Sequence, residues 1–245
     1  MKIDVCLVTK NKVNTIKGME FIPINNLIIE TSTPLALARM RSIQKVETEW
    51  FAFIDDDVEI DENWFETLKA YTQGTKVGAI QGMLLVKGLG GKWDQALNSI
   101  GRYAHDIKLG NRGFTHNTLI RTEIVKDWIP PQNLSAYEDY VLTQYILRKG
   151  YRWINVPTIS YHKKTWKKVW KNAIWATASR KELWPATKDN LIQILKNFIS
   201  ILRVVFSLNM NWRVKIYRTY FTIATTYGYI KSLQIRSRAR VARRQ

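Results

Sequence analysis

The fold is decided by the stretch Trp50-Phe51-Ala52-Phe53-Ile54-Asp55-Asp56-Asp57-Val58, in which an apolar segment runs directly into three carboxylates. The aromatic and β-branched residues at 50–54 predict a buried strand. Three adjacent like charges repel one another unless they share a cation, and carboxylate oxygens are preferred ligands of Mg²⁺ and Mn²⁺. The alternative is that these acids merely precede a helix that Asp61 caps. On this stretch alone both interpretations remain open.

Strand-like and helix-like segments alternate on both sides of this stretch. Residues 3–8, 26–30 and 77–86 are apolar enough for strands, and Pro34 is well placed in the first turn of a helix. This alternation predicts an α/β fold with a mixed, mostly parallel sheet sandwiched by helices. In such sheets ligands bind beyond the carboxyl ends of the strands. The polar residues at the predicted strand ends are Asn11, Glu30, Asp55, Asp56 and Asp57.

A second acidic pair, Glu138 and Asp139, opens another predicted helix. The spacing of Ser135 and Glu138 fits a capping box, which is a structural alternative for Glu138. Asp139 has no such local duty, and the helix dipole favours an ionised carboxylate at its position. Because a general base must be ionised and positioned, we predict Asp139 as the catalytic base, with Glu138 in support.

Charge is distributed unevenly along the 245 residues, which carry a formal net charge of +18. Residues 163–245 contain 19 Lys/Arg and two acids, a net charge of +17, whereas residues 1–162 contain 19 bases and 18 acids. We therefore expect a nearly neutral globular domain followed by a polycation that binds polyanions. The predicted regions are a catalytic domain at 1–165, a basic, Trp-rich helical extension at 166–235 and a disordered polycationic tail at 236–245.

The basic extension contains a predicted amphipathic helix after Asp189. Its apolar stripe runs from Leu191 to Val205, and the opposing face carries Lys196 and Arg203. This composition is typical of an interfacial membrane helix, and clustered Lys/Arg is attracted to anionic lipid. One alternative is that the stripe packs on the catalytic domain. Another is that the extension binds nucleic acid, against which the acids at the strand ends argue.

The cysteine content and the lengths of the apolar stretches indicate a cellular location. Cys6 is the only cysteine, so no intrachain disulfide forms and a reducing compartment fits. Charged residues interrupt the N-terminal region where a signal peptide would have its apolar core, and no uninterrupted apolar stretch reaches about 18 residues. We expect a cytoplasmic protein that is peripheral on the cytoplasmic face of a membrane.

The order of these motifs resembles that of the family 2 glycosyltransferases of the GT-A fold, over about residues 3–165. The shared features begin with the turn Thr9-Lys10-Asn11 and the acid after the second strand. They continue with an Ala-Arg helix, the run Glu-x-x-x-Phe-x-Asp-Asp-Asp, the Glu-Asp pair and a closing His162. The resemblance implies a hexosyltransferase that inverts configuration while it transfers a sugar from a nucleotide-diphosphate sugar to an acceptor hydroxyl or lipid phosphate.

The resemblance also implies a role for particular residues. A divalent metal, Mg²⁺ or Mn²⁺, would be held by Asp57 and Asp55 with His162, and Asp139 would deprotonate the acceptor. The expected partners are the nucleotide sugar, a lipid-linked or membrane-proximal glycan acceptor and an anionic membrane surface. A catalytically inactive relative is the remaining alternative. Donor contacts are implied for Thr9, Asn11, Glu30, Arg39, Asp55, Asp56, Asn117 and Arg121.

Overall fold

The computed structural model describes residues 1–10, 16–107, 113–183 and 187–242, which fold as two compact units. One unit comprises residues 1–88 and 98–163, and the other residues 89–97 and 164–245. The strands are β1 (Ile3–Val8), β2 (Ile24–Glu30), β3 (Trp50–Ile54), β4 (Val58–Ile60), β5 (Val77–Lys87), β6 (Asn117–Arg121) and β7 (Arg152–Lys163). The helices are α1 (Leu35–Lys45), α2 (Trp64–Lys69), α3 (Gly91–Ile107), α4 (Thr122–Val125), α5 (Glu138–Arg148), α6 (Trp166–Leu183), α7 (Thr187–Val205) and α8 (Trp212–Ala242).

The seven strands form one mixed sheet in the order β2-β1-β3-β6-β5-β7-β4. Strand β1 pairs in parallel with β2 and β3, and β5 pairs in parallel with β7, while the other three pairings are antiparallel. Val8 lies beside Glu30, so the carboxyl ends of β1 and β2 meet at one edge. Strand β6 runs in the opposite direction, which places its first residue, Asn117, beside Ile54. The predicted α/β class with a mixed sheet is confirmed.

The strand β3 lies at the centre of the core and is buried on both faces. Alternate side chains of a strand point to opposite faces. Trp50, Ala52 and Ile54 accordingly belong to one apolar cluster, and Phe51 and Phe53 to the other. This two-sided burial explains why residues 50–54 are continuously apolar rather than alternating with polar residues.

Two local expectations from the sequence are wrong. Helix α2 begins at Trp64, after Asn63, and Asp61 accepts a hydrogen bond from the Asn63 backbone N–H at 3.2 Å. Asp61 therefore forms the turn before the helix and does not cap it. Helix α8 continues to Ala242, so the tail predicted to be disordered from Arg236 is helical up to that residue. Alanine and arginine are strong helix formers, which favours this continuation.

The second unit is built around α8, which packs against both α6 and α7. The Tyr220 hydroxyl donates a hydrogen bond to the Trp166 carbonyl at 3.1 Å. A Cβ on Gly228 would lie 2.9 Å from the Thr177 Cβ, so only glycine permits this close approach of α8 to α6. In the parts of the chain that the structure describes, every helix is too short or too polar to span a bilayer.

Candidate active site

Thr9, at the end of β1, links the ends of the two neighbouring strands. Its hydroxyl donates a hydrogen bond to Asp56 Oδ2 at 2.6 Å, and its backbone N–H donates to the Glu30 carbonyl at 3.1 Å. Three of the predicted donor-binding residues therefore meet at one edge of the sheet. Asn11, the other residue predicted in this turn, lies outside the described residues.

The Glu30 carboxylate accepts hydrogen bonds from two neighbouring residues, Lys45 and Ser32. Its Oε2 accepts a hydrogen bond from Lys45 Nζ at 2.9 Å, and its Oε1 accepts hydrogen bonds from the Ser32 backbone N–H and hydroxyl. Burial alone would raise the pKa of Glu30, but these bonds outweigh it and lower the pKa to about 2. Glu30 is therefore a firmly ionised group held in a fixed position at the sheet edge.

The antiparallel pairing of β4 with β7 brings His162 to the third carboxylate of the triplet. Val58 lies opposite His162 in this pairing, and His162 Nε2 is 2.7 Å from Asp57 Oδ2. The Lys163 backbone N–H also donates to the Asp57 carbonyl at 2.9 Å. The two side chains remain 16–17% exposed, so this carboxylate–imidazole pair is open to a ligand. The described residues contain no group of three His, Cys, Asp or Glu side chains arranged to hold a metal ion.

Arg39, on α1, joins the first carboxylate of the triplet to α5. Its Nη2 is 3.1 Å from Asp55 Oδ1, and its Nε is 3.0 Å from Glu138 Oε1. The guanidinium lies over the Phe53 ring, 4.8 Å from the centroid, and Arg39 is only 3% exposed. Burial alone would lower the pKa of Arg39, but the two carboxylates raise it and keep the group charged. Asp55, expected to share the metal, is thus paired with Arg39 instead.

The start of α5 differs from the capping-box alternative. The helix begins at Glu138, and its preceding residue, Tyr137, has a left-handed backbone with φ of 65°. Ser135 is therefore not the N-cap, and the Glu138 carboxylate pairs with Arg39. A left-handed backbone at a residue other than glycine costs about 1–3 kcal/mol, and such residues cluster at functional sites.

The buried Glu138 and its neighbour Asp139 have different environments. Burial raises the pKa of Glu138, Arg39 opposes this shift, the adjacent Asp139 adds to it, and the resulting pKa is about 7. Asp139 Oδ1 accepts a hydrogen bond from the Tyr140 backbone N–H at 2.7 Å, at the positive end of the helix. The start of α5 therefore orients the Asp139 carboxylate.

The structure places Asn117 and Arg121 at opposite ends of β6, and only the Asn117 end lies beside the acidic triplet. Asn117 is fully buried, and its Nδ2 donates hydrogen bonds to Ser160 Oγ at 2.5 Å and the Met83 carbonyl at 3.3 Å. Arg121 lies opposite Trp50, at the other end of β6 and about 14 Å from Asn117 at about 3.4 Å per residue. Its guanidinium packs over the Trp50 ring and donates to the Thr72 carbonyl at 3.1 Å.

One residue of this region, His116, is not among the sequence predictions. Its carbonyl accepts a hydrogen bond from the Asp55 backbone N–H at 3.2 Å, and its ring centroid is 6.2 Å from that of His162. In the sequence, His116 is visible only as a histidine directly before β6. Its place beside the acidic triplet follows only from the antiparallel pairing of β6 with β3.

Part of the chain matches a family model, and the fold has solved counterparts among glycosyltransferases. Residues 25–129, which are 105 of the 245 residues, match the model described as glycosyl transferase family 2, in agreement with the family and the enzyme class predicted from the motifs. The matched segment contains Glu30, Arg39 and the acidic triplet, whereas Asp139 and His162 lie beyond it. Curated protein sequences include no match to the chain.

Two solved structures share this fold at low sequence identity. One is a mannosyltransferase from Pyrobaculum calidifontis in complex with GDP-Man and Mn²⁺. Its sequence is 12% identical to this chain, and the TM-score is 0.51. The alignment covers 96% of this chain and 66% of the mannosyltransferase chain. The other is glucosyl-3-phosphoglycerate synthase from Mycobacterium tuberculosis in complex with Mn²⁺, uridine-diphosphate-glucose and phosphoglyceric acid. It is also 12% identical, with a TM-score of 0.50, and covers 74% of this chain and 78% of its own.

Proposed function

We propose that the protein transfers a sugar from a nucleotide-diphosphate sugar to an acceptor at a membrane surface, with inversion of configuration and with a divalent metal. The observation that carries this proposal is the pairing of Arg39 with both Asp55 and Glu138. This pairing ties the sheet edge that carries the predicted donor residues to the start of α5. Asp139 is thereby held next to the same edge, where an acceptor hydroxyl would meet the donor.

The sheet edge offers suitable contacts for the donor. We assign the nucleoside to the edge formed by Thr9 and Glu30, and the ribose to Asp55 and Asp56. Arg39 Nη1 has no hydrogen-bond partner among the described residues, and a buried donor without a partner costs about 1–3 kcal/mol. A ribose hydroxyl within reach would satisfy it, which supports donor binding here.

Asp57 and His162 would hold a divalent cation for the donor diphosphate. Mg²⁺ sites of this kind need only one or two protein ligands, because the substrate phosphates and water supply the rest. A carboxylate and an imidazole placed 2.7 Å apart meet that requirement, although Asp55 is engaged by Arg39. Mn²⁺ accompanies the nucleotide sugars in both structural neighbours. When bound, the cation would neutralise negative charge on the leaving diphosphate.

The proposed reaction is a direct displacement at the anomeric carbon. Asp139 accepts the proton of the acceptor hydroxyl while the acceptor oxygen forms a bond to that carbon. The bond from the anomeric carbon to the diphosphate oxygen breaks on the opposite face, so the configuration inverts and the nucleoside diphosphate leaves with the electron pair. If the acceptor is an already ionised lipid phosphate, Asp139 orients it and removes no proton. The hydrogen bond from the Tyr140 N–H orients Asp139 for either role.

The proposed acceptor is lipid-linked or membrane-proximal, and the proposed location is the cytoplasmic face of a membrane. The support is the net charge of +17 over residues 163–245, combined with exposed apolar side chains on α7 and α8. A cationic surface with an apolar face is the composition that binds anionic lipid interfaces.

A thermal-shift screen of nucleotide-diphosphate sugars, with Mn²⁺ and with a chelator, tests donor binding. We expect one nucleotide class to raise Tm only in the presence of metal, since a ligand at 100 times its Kd stabilises the folded state by about 2.7 kcal/mol. The failure of every nucleotide sugar to stabilise the wild-type protein would contradict the proposal.

The Asp139→Asn variant tests the chemistry separately. It should lower kcat for a hydroxyl acceptor by about 10²–10⁴-fold, the usual contribution of a general base. Metal-dependent stabilisation by the donor should remain, because Asp139 is not assigned to the donor. Full transfer activity in this variant would exclude Asp139 as the base.

A further inference from the structure

Polar side chains form part of the contact between α7 and α8, beside apolar residues of both helices. Asn197 Nδ2 donates hydrogen bonds to the hydroxyls of Thr225 and Thr226 at 3.3 and 3.1 Å, and Gln193 Nε2 donates to Asn197 Oδ1 at 3.2 Å. A helix pair that is stabilised in water usually has apolar side chains at such a contact. Inside a lipid environment, amide and hydroxyl side chains commonly join helices.

The apolar stripe of α7 faces outward. Leu191, Leu195, Phe198, Leu202 and Val205 follow one another at intervals of three or four residues and therefore lie on one side of the helix. Leu191, Leu195 and Phe198 are each 60–62% exposed. The five side chains of this stripe are 43–62% exposed, whereas Ile194 and Ile201, which also belong to the predicted stripe, line a hollow against α8.

Helix α8 extends this surface. Its residues Trp212, Ile216, Ile223, Tyr227 and Ile230 are all exposed. Two apolar hollows, of about 460 and 300 Å³, share Ile223 and also include residues of α7. We call the combined surface of these five residues and the α7 stripe the apolar face. In the connection between the helices, Phe206 and Leu208 are exposed as well, Leu208 by 97%.

Cations border the apolar face. Lys196 and Arg203 are exposed and follow Ile192 and Ile199 by four residues, so they lie along one flank of the α7 stripe. At the end of α7, Lys215 Nζ donates a hydrogen bond to the Val205 carbonyl at 3.2 Å. A second copy of the chain on this face would bring two such polycations together, which repulsion disfavours. An anionic lipid surface offers both hydrocarbon for the apolar side chains and negative charge for the flank.

We infer that α7 and α8 form a monotopic anchor, in which the apolar face lies among the acyl chains of one leaflet of an anionic bilayer. Lys196 and Arg203 then contact the headgroups, and the loop with Phe206 and Leu208 enters the leaflet. This inference rests on the membrane location in the proposed function, and it assigns that location to a particular surface.

Flotation of the full chain with liposomes tests the anchor. The wild-type protein should float with vesicles of phosphatidylcholine and phosphatidylglycerol, and less with phosphatidylcholine alone. The variant L195Q/F198Q/L202Q should partition at least about tenfold more weakly, because three apolar side chains no longer leave water. The variant K196Q/R203Q should lose mainly the preference for phosphatidylglycerol.

The matched control is Phe221→Gln. Phe221 is also exposed on α8, but at about 100° per residue it lies about 160° around the helix from Ile223. This variant should float like the wild type. Retention of helical circular dichroism in the triple variant verifies that its fold is intact.

Undiminished flotation of the triple variant, or failure of the wild type to bind phosphatidylglycerol vesicles, would overturn the inference. So would a wild-type dimer that the triple variant abolishes without any change in flotation, since the face would then join two copies. Donor stabilisation with Mn²⁺ should persist in the triple variant. Loss of flotation with retained donor binding thus separates failure of the anchor from failure of the proposed enzyme.

Discussion

Arg39 Nε lies 3.0 Å from Glu138 Oε1, although the two residues are 99 positions apart in the chain. Both are buried, and the second nitrogen of the same guanidinium contacts Asp55. A buried charge that loses its partner is strongly destabilising. The pair therefore fixes the position of α5, and with it Asp139, relative to the end of β3.

The Arg39→Met variant should lose about 3–5 kcal/mol of unfolding free energy, because it leaves the buried Glu138 carboxylate without a cation. Urea denaturation measures this loss. In the double variant Arg39→Met/Glu138→Gln the loss should be smaller than the sum of the two single effects, since the charge left unpaired has also been removed. Additive effects would show that the two residues are not energetically coupled.

Stability should depend on pH through Glu138. Its pKa is raised from the ordinary 4.5 to about 7 in the folded protein. The folded state therefore retains a proton that the unfolded chain releases, so this contribution is fully present below pH 4.5 and is lost as the pH rises through 7. The wild-type advantage over Glu138→Gln in urea unfolding should decrease from pH 4.5 to pH 7.

The variant Glu30→Gln is the control, because the pKa of Glu30 is shifted in the opposite direction from that of Glu138. The pKa of Glu30 is lowered to about 2, so its contribution is present above pH 4.5 and is lost as the pH falls towards 2. The difference in unfolding free energy between the wild type and Glu138→Gln could instead stay constant or increase from pH 4.5 to pH 7. That result would contradict the raised pKa of Glu138.

Asp57→Asn and His162→Gln should each weaken Mn²⁺ binding in the presence of a nucleoside diphosphate by at least about tenfold, because each removes one of two proposed protein ligands. Electron paramagnetic resonance of free Mn²⁺ measures the affinity directly. Asp61→Asn makes the same chemical change in the turn before α2 and should bind Mn²⁺ normally. Wild-type affinity in either test variant would remove that residue from the proposed metal site.

Arg121→Met should leave transfer activity per folded molecule unchanged within about twofold, because Arg121 lies at the opposite end of β6 from the site. It should instead lower the unfolding free energy by about 1–3 kcal/mol through the lost hydrogen bond to the Thr72 carbonyl. Urea unfolding and kcat/KM separate the two effects. A large loss of kcat/KM with normal stability would restore the donor contact implied by the motif.

Residues with strong local signals were predictable. The bounds of β1 and β3 agree with the sequence predictions, because both strands are buried on both faces and read as continuous apolar runs. The triplet Asp55-Asp56-Asp57 marks the end of β3 in the sequence, because a buried strand cannot continue through adjacent charges. Strand direction leaves no comparable signal, so the sequence predicts a single site for Asn117 and Arg121, although the two residues lie at opposite ends of β6.

The sequence by itself determined the α/β class, the acidic end of β3, the acids that open α5 and the separation of a neutral from a polycationic region. These properties follow from hydrophobic periodicity and charge, which are local in the chain. Only the tertiary structure decided that Arg39 pairs with Glu138, that His162 meets Asp57 and that the apolar stripe of α7 faces outward. These contacts depend on strand order, register and helix packing, which join residues that are far apart in the chain.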